Sequence, residues 1–121
     1  MQYKELIVWQ KAHGLALETI VAVKQVPQSY AADIMVKQLL RAVTSIGANI
    51  AEGYGRFTNK EYIRFLHIAY GSSNEVDHWL SLLADSKILP SETAQGLIKH
   101  NEEIIKILTS MIKKLQANNP S

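Results

Sequence analysis

The sequence predicts an all-α protein, a single-domain antiparallel up-down-up-down four-helix bundle. Three observations carry that prediction. Apolar residues recur at spacings of three and four rather than two, the period of a helix with one buried face. Proline occurs only at Pro27, Pro90 and Pro120, and with the glycines around residue 54 it divides the chain into four stretches. Each stretch has room for roughly 20 residues, or about 30 Å of helix. The connections are short, so consecutive helices should run antiparallel. No segment alternates strictly between apolar and polar residues, so no strand is assigned. A chain of 121 residues makes one domain and buries a sizeable core without staples.

The first helix is expected over about 4–25, with Leu6, Trp9, His13, Ala16, Leu17, Ile20 and Val23 on one stripe. Val26-Pro27 ends it, because proline disfavours helix in the residue before it. The second is expected over 31–54, where Val36, Leu40, Val43, Ile46, Gly47, Ile50 and Tyr54 keep the period. Gly53 and Gly55 close it, as helix C-termini often require. Thr58-Asn59-Lys60-Glu61 reads as a capping box, a hydroxyl at the cap and an acid three residues on. It starts the third helix, 59–86, with Tyr62, Phe65, Leu66, Ala69, Ser73, Val76, Leu80 and Leu83 in line. The fourth, 91–116, carries Ala94, Leu97, Ile98, Asn101, Ile104, Ile105, Leu108, Met111, Ile112 and Leu115. Residues 117–121 read as a disordered tail.

Small residues interrupt the apolar stripes. Ala42, Gly47, Ala48 and Ala51 on the second helix face Ala69, Gly71, Ser72 and Ser73 on the third. A glycine inside a helix costs about 1 kcal/mol relative to alanine, and close approach of two backbones is the simplest offset. Polar residues line up beside them: Arg41, Ser45, Asn49, Glu52 and Arg56 on one helix, Glu61, Arg64, Ser72 and Glu75 on the other. In antiparallel neighbours, Asn49 and Arg41 would meet Ser72 and Glu75. Such a network fixes register if its members are paired. A functional polar groove is the sharper alternative. Asn101, alone in the apolar seam of the fourth helix, is a register or partner device of the same kind.

Few motifs carry chemistry. There is no cysteine, hence no disulfide, thiolate metal site or cysteine nucleophile, which fits a reducing cytoplasm. Glu75-Val76-Asp77-His78 has the Glu-x-x-His spacing of di-metal bundles. Those sites need a second copy and two further glutamates, and no second copy is present, so no metal or cofactor is expected. His13, His67, His78 and His100 form no pairing with an acid and a nucleophile. No nucleophile elbow, phosphate loop or dinucleotide fingerprint occurs. The expectation is a protein that is not an enzyme. No apolar run approaches the roughly 18 residues that span a bilayer, and the N-terminal MQYKELIVWQKAHG lacks the features of a signal peptide.

Net charge is +2, from 13 Lys+Arg against 11 Asp+Glu, too small a bias to announce nucleic acid by itself. Placement is more informative. Lys99, Lys106 and Lys113 lie seven apart on the fourth helix, with Lys114 beside them. Lys37 and Arg41 are one turn apart on the second, and Arg56, Lys60 and Arg64 flank the start of the third. These nine are the phosphate-binding candidates. The plain alternative is a solvated face, since Glu102 and Glu103 interleave with the lysines. Tyr3, Trp9 and Trp79 are candidates for a subunit interface.

Three segments, "ELIVWQKA" (5–12), "QLLRAVTSIGANIAEGYGR" (38–56) and "EYIRFLHIAYGSSNEV" (61–76), resemble the small helical proteins encoded within 23S ribosomal RNA intervening sequences. The resemblance runs to about Leu115. The Asn-Ile-Ala-Glu-Gly box containing Asn49, Glu52 and Gly53 and the Gly-Ser-x-x-Glu box containing Ser72 and Glu75 are fairly specific in combination. Where the family often has proline after the Ser-Ile pair, this chain has Gly47. The resemblance implies a four-helix bundle assembled as a ring, a homopentamer, and no known enzyme. A relative of the family, the accessory protein of diversity-generating retroelements, forms a basic barrel that supports a reverse transcriptase and its RNA. The expected function is a non-enzymatic, cytoplasmic, oligomeric module that binds RNA or a protein–RNA complex, without a membrane. A protein–protein adaptor that binds no nucleic acid is the alternative.

Overall fold

A computed structural model describes residues 1–118. A short 3-10 turn, Tyr3–Glu5, precedes four helices: α1 (Ile7–Lys24), α2 (Tyr30–Tyr54), α3 (Asn59–Asp85) and α4 (Ser91–Asn118). Each helix packs on the next and α4 packs back on α1, so the four form an antiparallel bundle. α2 and α3 share the most extensive interface.

Local chemistry sets the helix starts. The Ser29 hydroxyl accepts from Ala32 N–H at 3.1 Å, and the Thr58 hydroxyl accepts from Glu61 N–H at 3.1 Å. Only this half of the predicted capping box is made, because Glu61 turns to Arg64 (3.7 Å) instead of back to the Thr58 N–H. α2 runs through Gly53 to Tyr54, and Gly55 caps it with φ −79°. Neither glycine adopts the left-handed conformation that would demand glycine. That conformation occurs instead at Lys87 (φ 64°) after α3. There Ile88 N–H donates to Leu83 O and Lys87 N–H to Ala84 O, both at 3.0 Å, the paired bonds of a Schellman stop. Residues 117 and 118 continue α4 rather than fraying from it, and 119–121 of the expected tail lie outside the described residues.

The core consists of Val8, Ala12 and Leu15 from α1, Leu39, Val43, Ile46 and Ile50 from α2, Leu66, Val76, Leu80 and Leu83 from α3, and Ile104 and Leu108 among others from α4. On α3 and α4 the predicted stripes are the buried ones, with Tyr62, Ile105, Met111 and Leu115 half-buried at the edges. On α1 the expected stripe is wrong by roughly a quarter turn or more. The buried face is Val8, Ala12, Leu15 and Thr19, while His13 and Leu17 are exposed and Trp9, Ala16 and Ile20 half-buried. α1 has apolar residues all round, so its pattern has a helical period without a unique phase.

The small residues also divide differently from the expectation. Ala42, Ala69, Ser72 and Ser73 are buried in the bundle. Gly47 instead faces α1, where an added Cβ would lie 3.5 Å from Trp9 Nε1, and Gly71 meets nothing within 4 Å. The tight α2–α3 approach is at Gly53, where a Cβ would stand 2.7 Å from Phe65 Cβ.

Candidate functional site

The polar residues between α2 and α3 form a seam rather than a cleft. Arg41 Nη2 pairs with Glu75 across the helices. One turn on, Ser72 Oγ donates to Ser45 Oγ at 3.0 Å. Asn49 Nδ2 donates to the same Ser45 Oγ (2.9 Å) and to Ser45 O (2.8 Å). Asn49 therefore reaches Ser72 only through Ser45, contrary to the direct contact expected, because its short amide folds back onto its own helix. Glu52 turns along the helix to Arg56. A second polar pair is fully enclosed: Asn101 donates to Ser73 O (2.8 Å) and accepts from Ser73 Oγ (2.6 Å), tying α4 to α3. Arg41–Glu75 and Ser45–Ser72 join α2 to α3 and Ser73–Asn101 joins α3 to α4, whereas Asn49 and Glu52 bond within α2 and toward its end.

The Glu-x-x-His pair does not converge on a metal position. Glu75 is held by Arg41, and His78 is exposed with its ring edge-on to Trp79 (4.8 Å). Among the described residues no three His, Asp or Glu side chains cluster as ligands. His100 Nδ1 lies 2.9 Å from Glu18, and Lys11 3.2 Å from Glu103, both ties between α1 and α4. No helix among the described residues is long and apolar enough to cross a membrane.

The cations are where the topology adds information. Antiparallel packing brings the N-termini of α1 and α3 and the C-termini of α2 and α4 to one end of the bundle. Of the nine candidates, Arg56, Lys60, Arg64, Lys113 and Lys114 gather there, and Lys4 joins them. Arg41 and Lys106 sit midway along the bundle, and Lys37 and Lys99 belong to its other half, so the nine do not form one surface. The acids at the basic end are Glu5, Glu52 and Glu61. Six cations against three acids leave +3 there, more than the +2 of the whole chain, so the remainder is net negative by one.

Two of these cations are held in place. Arg56 and Arg64 lie over the Phe65 ring, with Cζ 4.8 and 4.9 Å from its centroid. The same two guanidinium groups are also ion-paired, Arg56 with Glu52 and Arg64 with Glu61 (3.7 Å), so ring and carboxylate together fix their positions. Tyr54 and Tyr62 meet edge to face beside them at 6.0 Å. Burial, and secondarily the neighbouring Tyr54, holds the Tyr62 phenol above the ordinary tyrosine range. One residue at this end escaped the sequence reading. Phe57, at the apex of the α2–α3 turn, is fully exposed. Its signal was an aromatic ring off every helical stripe, between two basic residues.

The family model for the 23S rRNA-intervening sequence protein matches residues 4–110. The chain belongs to that family. This chain is similar to a crystal structure of a protein of unknown function from the S23 ribosomal protein family of Bacteroides thetaiotaomicron. The match has a TM-score of 0.80 and 32% identity, covering 88% of this chain and 99% of that one. No curated protein matches. The expected bundle is thus shared by a solved relative, and neither comparison points to an enzyme family. The matched segment includes the seam and the turn between α2 and α3, and it stops short of Lys113 and Lys114.

Proposed function

We propose that this 23S rRNA-intervening sequence family member is a non-enzymatic, self-assembling module of the cytoplasm that binds RNA through the basic end of its bundle. The observation that carries this reading is the charge separation: one end holds +3 in a protein whose remainder is net negative. Clustered cations bind phosphates without any sequence-specific pocket, and binding of this type weakens steeply with salt. A titration of fluorescent RNA at about 50 and 200 mM salt tests it, comparing Lys60→Glu/Lys113→Glu with Lys37→Glu/Lys99→Glu. The native protein should lose affinity sharply at the higher salt. The first variant should bind at least about tenfold more weakly and the second should stay within about threefold of native, since only the first removes cations from the binding end. No binding at the lower salt would overturn the RNA reading and favour a protein adaptor. Equal loss in both variants would remove the assignment to one end.

Self-assembly is supported by a separate feature. α1 buries one face in the bundle, yet its outer face carries Ile7, Leu17 and Val21 at 64%, 53% and 62% exposure. Beside them Trp9, His13, Ile20, Gly47 and Ala48 line a groove of about 340 Å³ between α1 and α2. An exposed apolar stripe on a helix whose opposite face is already buried marks an interaction surface, and a second copy covers it. A ring of five is the stoichiometry the family resemblance implies. Light scattering should give a multiple of the monomer mass for the native chain and a smaller mass for Leu17→Glu/Val21→Glu. A native monomer at tens of micromolar would contradict it.

A further inference from the structure

Phe57 stands out from the other exposed apolar side chains. A lone exposed apolar residue ordinarily needs no explanation, but three features set this ring apart. Its exposure is complete, at 105% of the reference value. The turn that carries it is pinned on both sides, by Arg56 N–H donating to Gly53 O at 3.1 Å and by Glu61 N–H donating to Thr58 Oγ1 at 3.1 Å. Cations surround it: Arg56 precedes it, Lys60 follows within one turn, and Arg64 lies one turn further on. Arg56 and Arg64 share the Phe65 ring and pair with Glu52 and Glu61, so their guanidinium groups are positioned before any ligand arrives, and with Lys60 the three cations outnumber the two acids.

We propose that Phe57 is a stacking platform for one unpaired base of single-stranded RNA, with Arg56, Lys60 and Arg64 holding the flanking phosphates. The proposal rests on the RNA-binding reading and narrows it to single strands. Unpaired nucleic acid exposes both base faces and phosphates within reach of one aromatic ring and its neighbouring cations. A duplex keeps its base faces stacked inside and offers the ring nothing. Stacking on an aromatic side chain tolerates any base and strengthens binding by about 5- to 150-fold per base. A duplex would feel the cations alone.

The test compares native protein, Phe57→Ala, Phe57→Trp and Lys60→Glu on two probes. One is a labelled single-stranded oligouridylate of about a dozen nucleotides, a length in the range one such platform surveys. The other is an RNA duplex of equal length. Phe57 touches no core residue, so its replacement leaves the bundle intact, which the far-ultraviolet spectrum and unfolding midpoint verify. Phe57→Ala should weaken single-strand binding about tenfold, leave duplex binding unchanged and keep the salt slope. Phe57→Trp should retain native affinity, and Lys60→Glu should weaken both probes. Native single-strand affinity in Phe57→Ala, with Lys60→Glu still weakened, would overturn the platform while leaving RNA binding intact. Equal loss of both probes in Phe57→Ala would also overturn it. Failure of the native protein to bind either probe at low salt would instead sink the RNA-binding reading beneath it.

Discussion

Asn101→Ala is expected to destabilise the bundle by about 2–4 kcal/mol, the largest single-residue effect outside the apolar core. The amide is wholly buried and makes both of its bonds to Ser73, one to the hydroxyl and one to the carbonyl. Truncation leaves the Ser73 hydroxyl buried with no partner from α4 and opens a void in the seam. The asymmetry of buried hydrogen bonds gives the control: removing both partners costs less than removing one. Ser73→Ala/Asn101→Leu should therefore recover part of the loss, since leucine fills the volume and no polar group is stranded. Urea unfolding of the native protein, Ser73→Ala, Asn101→Leu and Ser73→Ala/Asn101→Leu, with Asn101→Ala alongside, measures this. A coupling near zero would show that the pair contributes nothing beyond its volume.

Gly53→Ala should cost a net of about 1–2 kcal/mol, the difference between an overpacking penalty and the gain in helix propensity. Its new Cβ would stand 2.7 Å from Phe65 Cβ, 3.1 Å from Tyr62 Cδ1 and 3.3 Å from Tyr62 O. The first contact is with an atom attached to the backbone and the last is backbone itself, so neither moves without shifting α3. Gly71→Ala makes the opposite case. Nothing lies within 4 Å of its Cβ, and substitution should stabilise the helix by up to about 1 kcal/mol. Thermal midpoints that move in opposite directions for the two variants would confirm that Gly53, alone of the two, is retained for helix approach. Equal stabilisation of both would refute the close contact.

Sequence legibility differed by element for physical reasons. α3 and α4 carry charged residues opposite their apolar stripes, so Val76, Leu80, Ile104 and Leu108 could be assigned to the core from spacing. α1 lacks that contrast. Val8, Ala12 and Leu15 compete with Trp9, Ala16 and Ile20 for the same interior, and only the positions of α2 and α4 decide between them. The Arg41–Glu75 pair followed from antiparallel register, whereas Ser45 as the hub between Asn49 and Ser72 depends on side-chain torsions that spacing does not specify. The cations were visible one helix at a time. Their convergence is a property of the assembled bundle, since Lys113 is far from Arg56 and Lys60 in the chain and shares an end with them only once the helices pair. The same holds for the glycines: Gly47, Gly53 and Gly71 look alike in the sequence and meet three different environments.

The central claim is that RNA meets the end of the bundle where α2 turns into α3 and α4 finishes. Amide chemical-shift mapping of isotopically labelled protein, titrated with the single-stranded oligouridylate, tests this most directly. Shifts confined to residues 56–64 and 113–118, with residues 30–38 and 86–99 unmoved, are the predicted result. Shifts concentrated on residues 30–38 and 86–99, or along the outer face of α1, would contradict it.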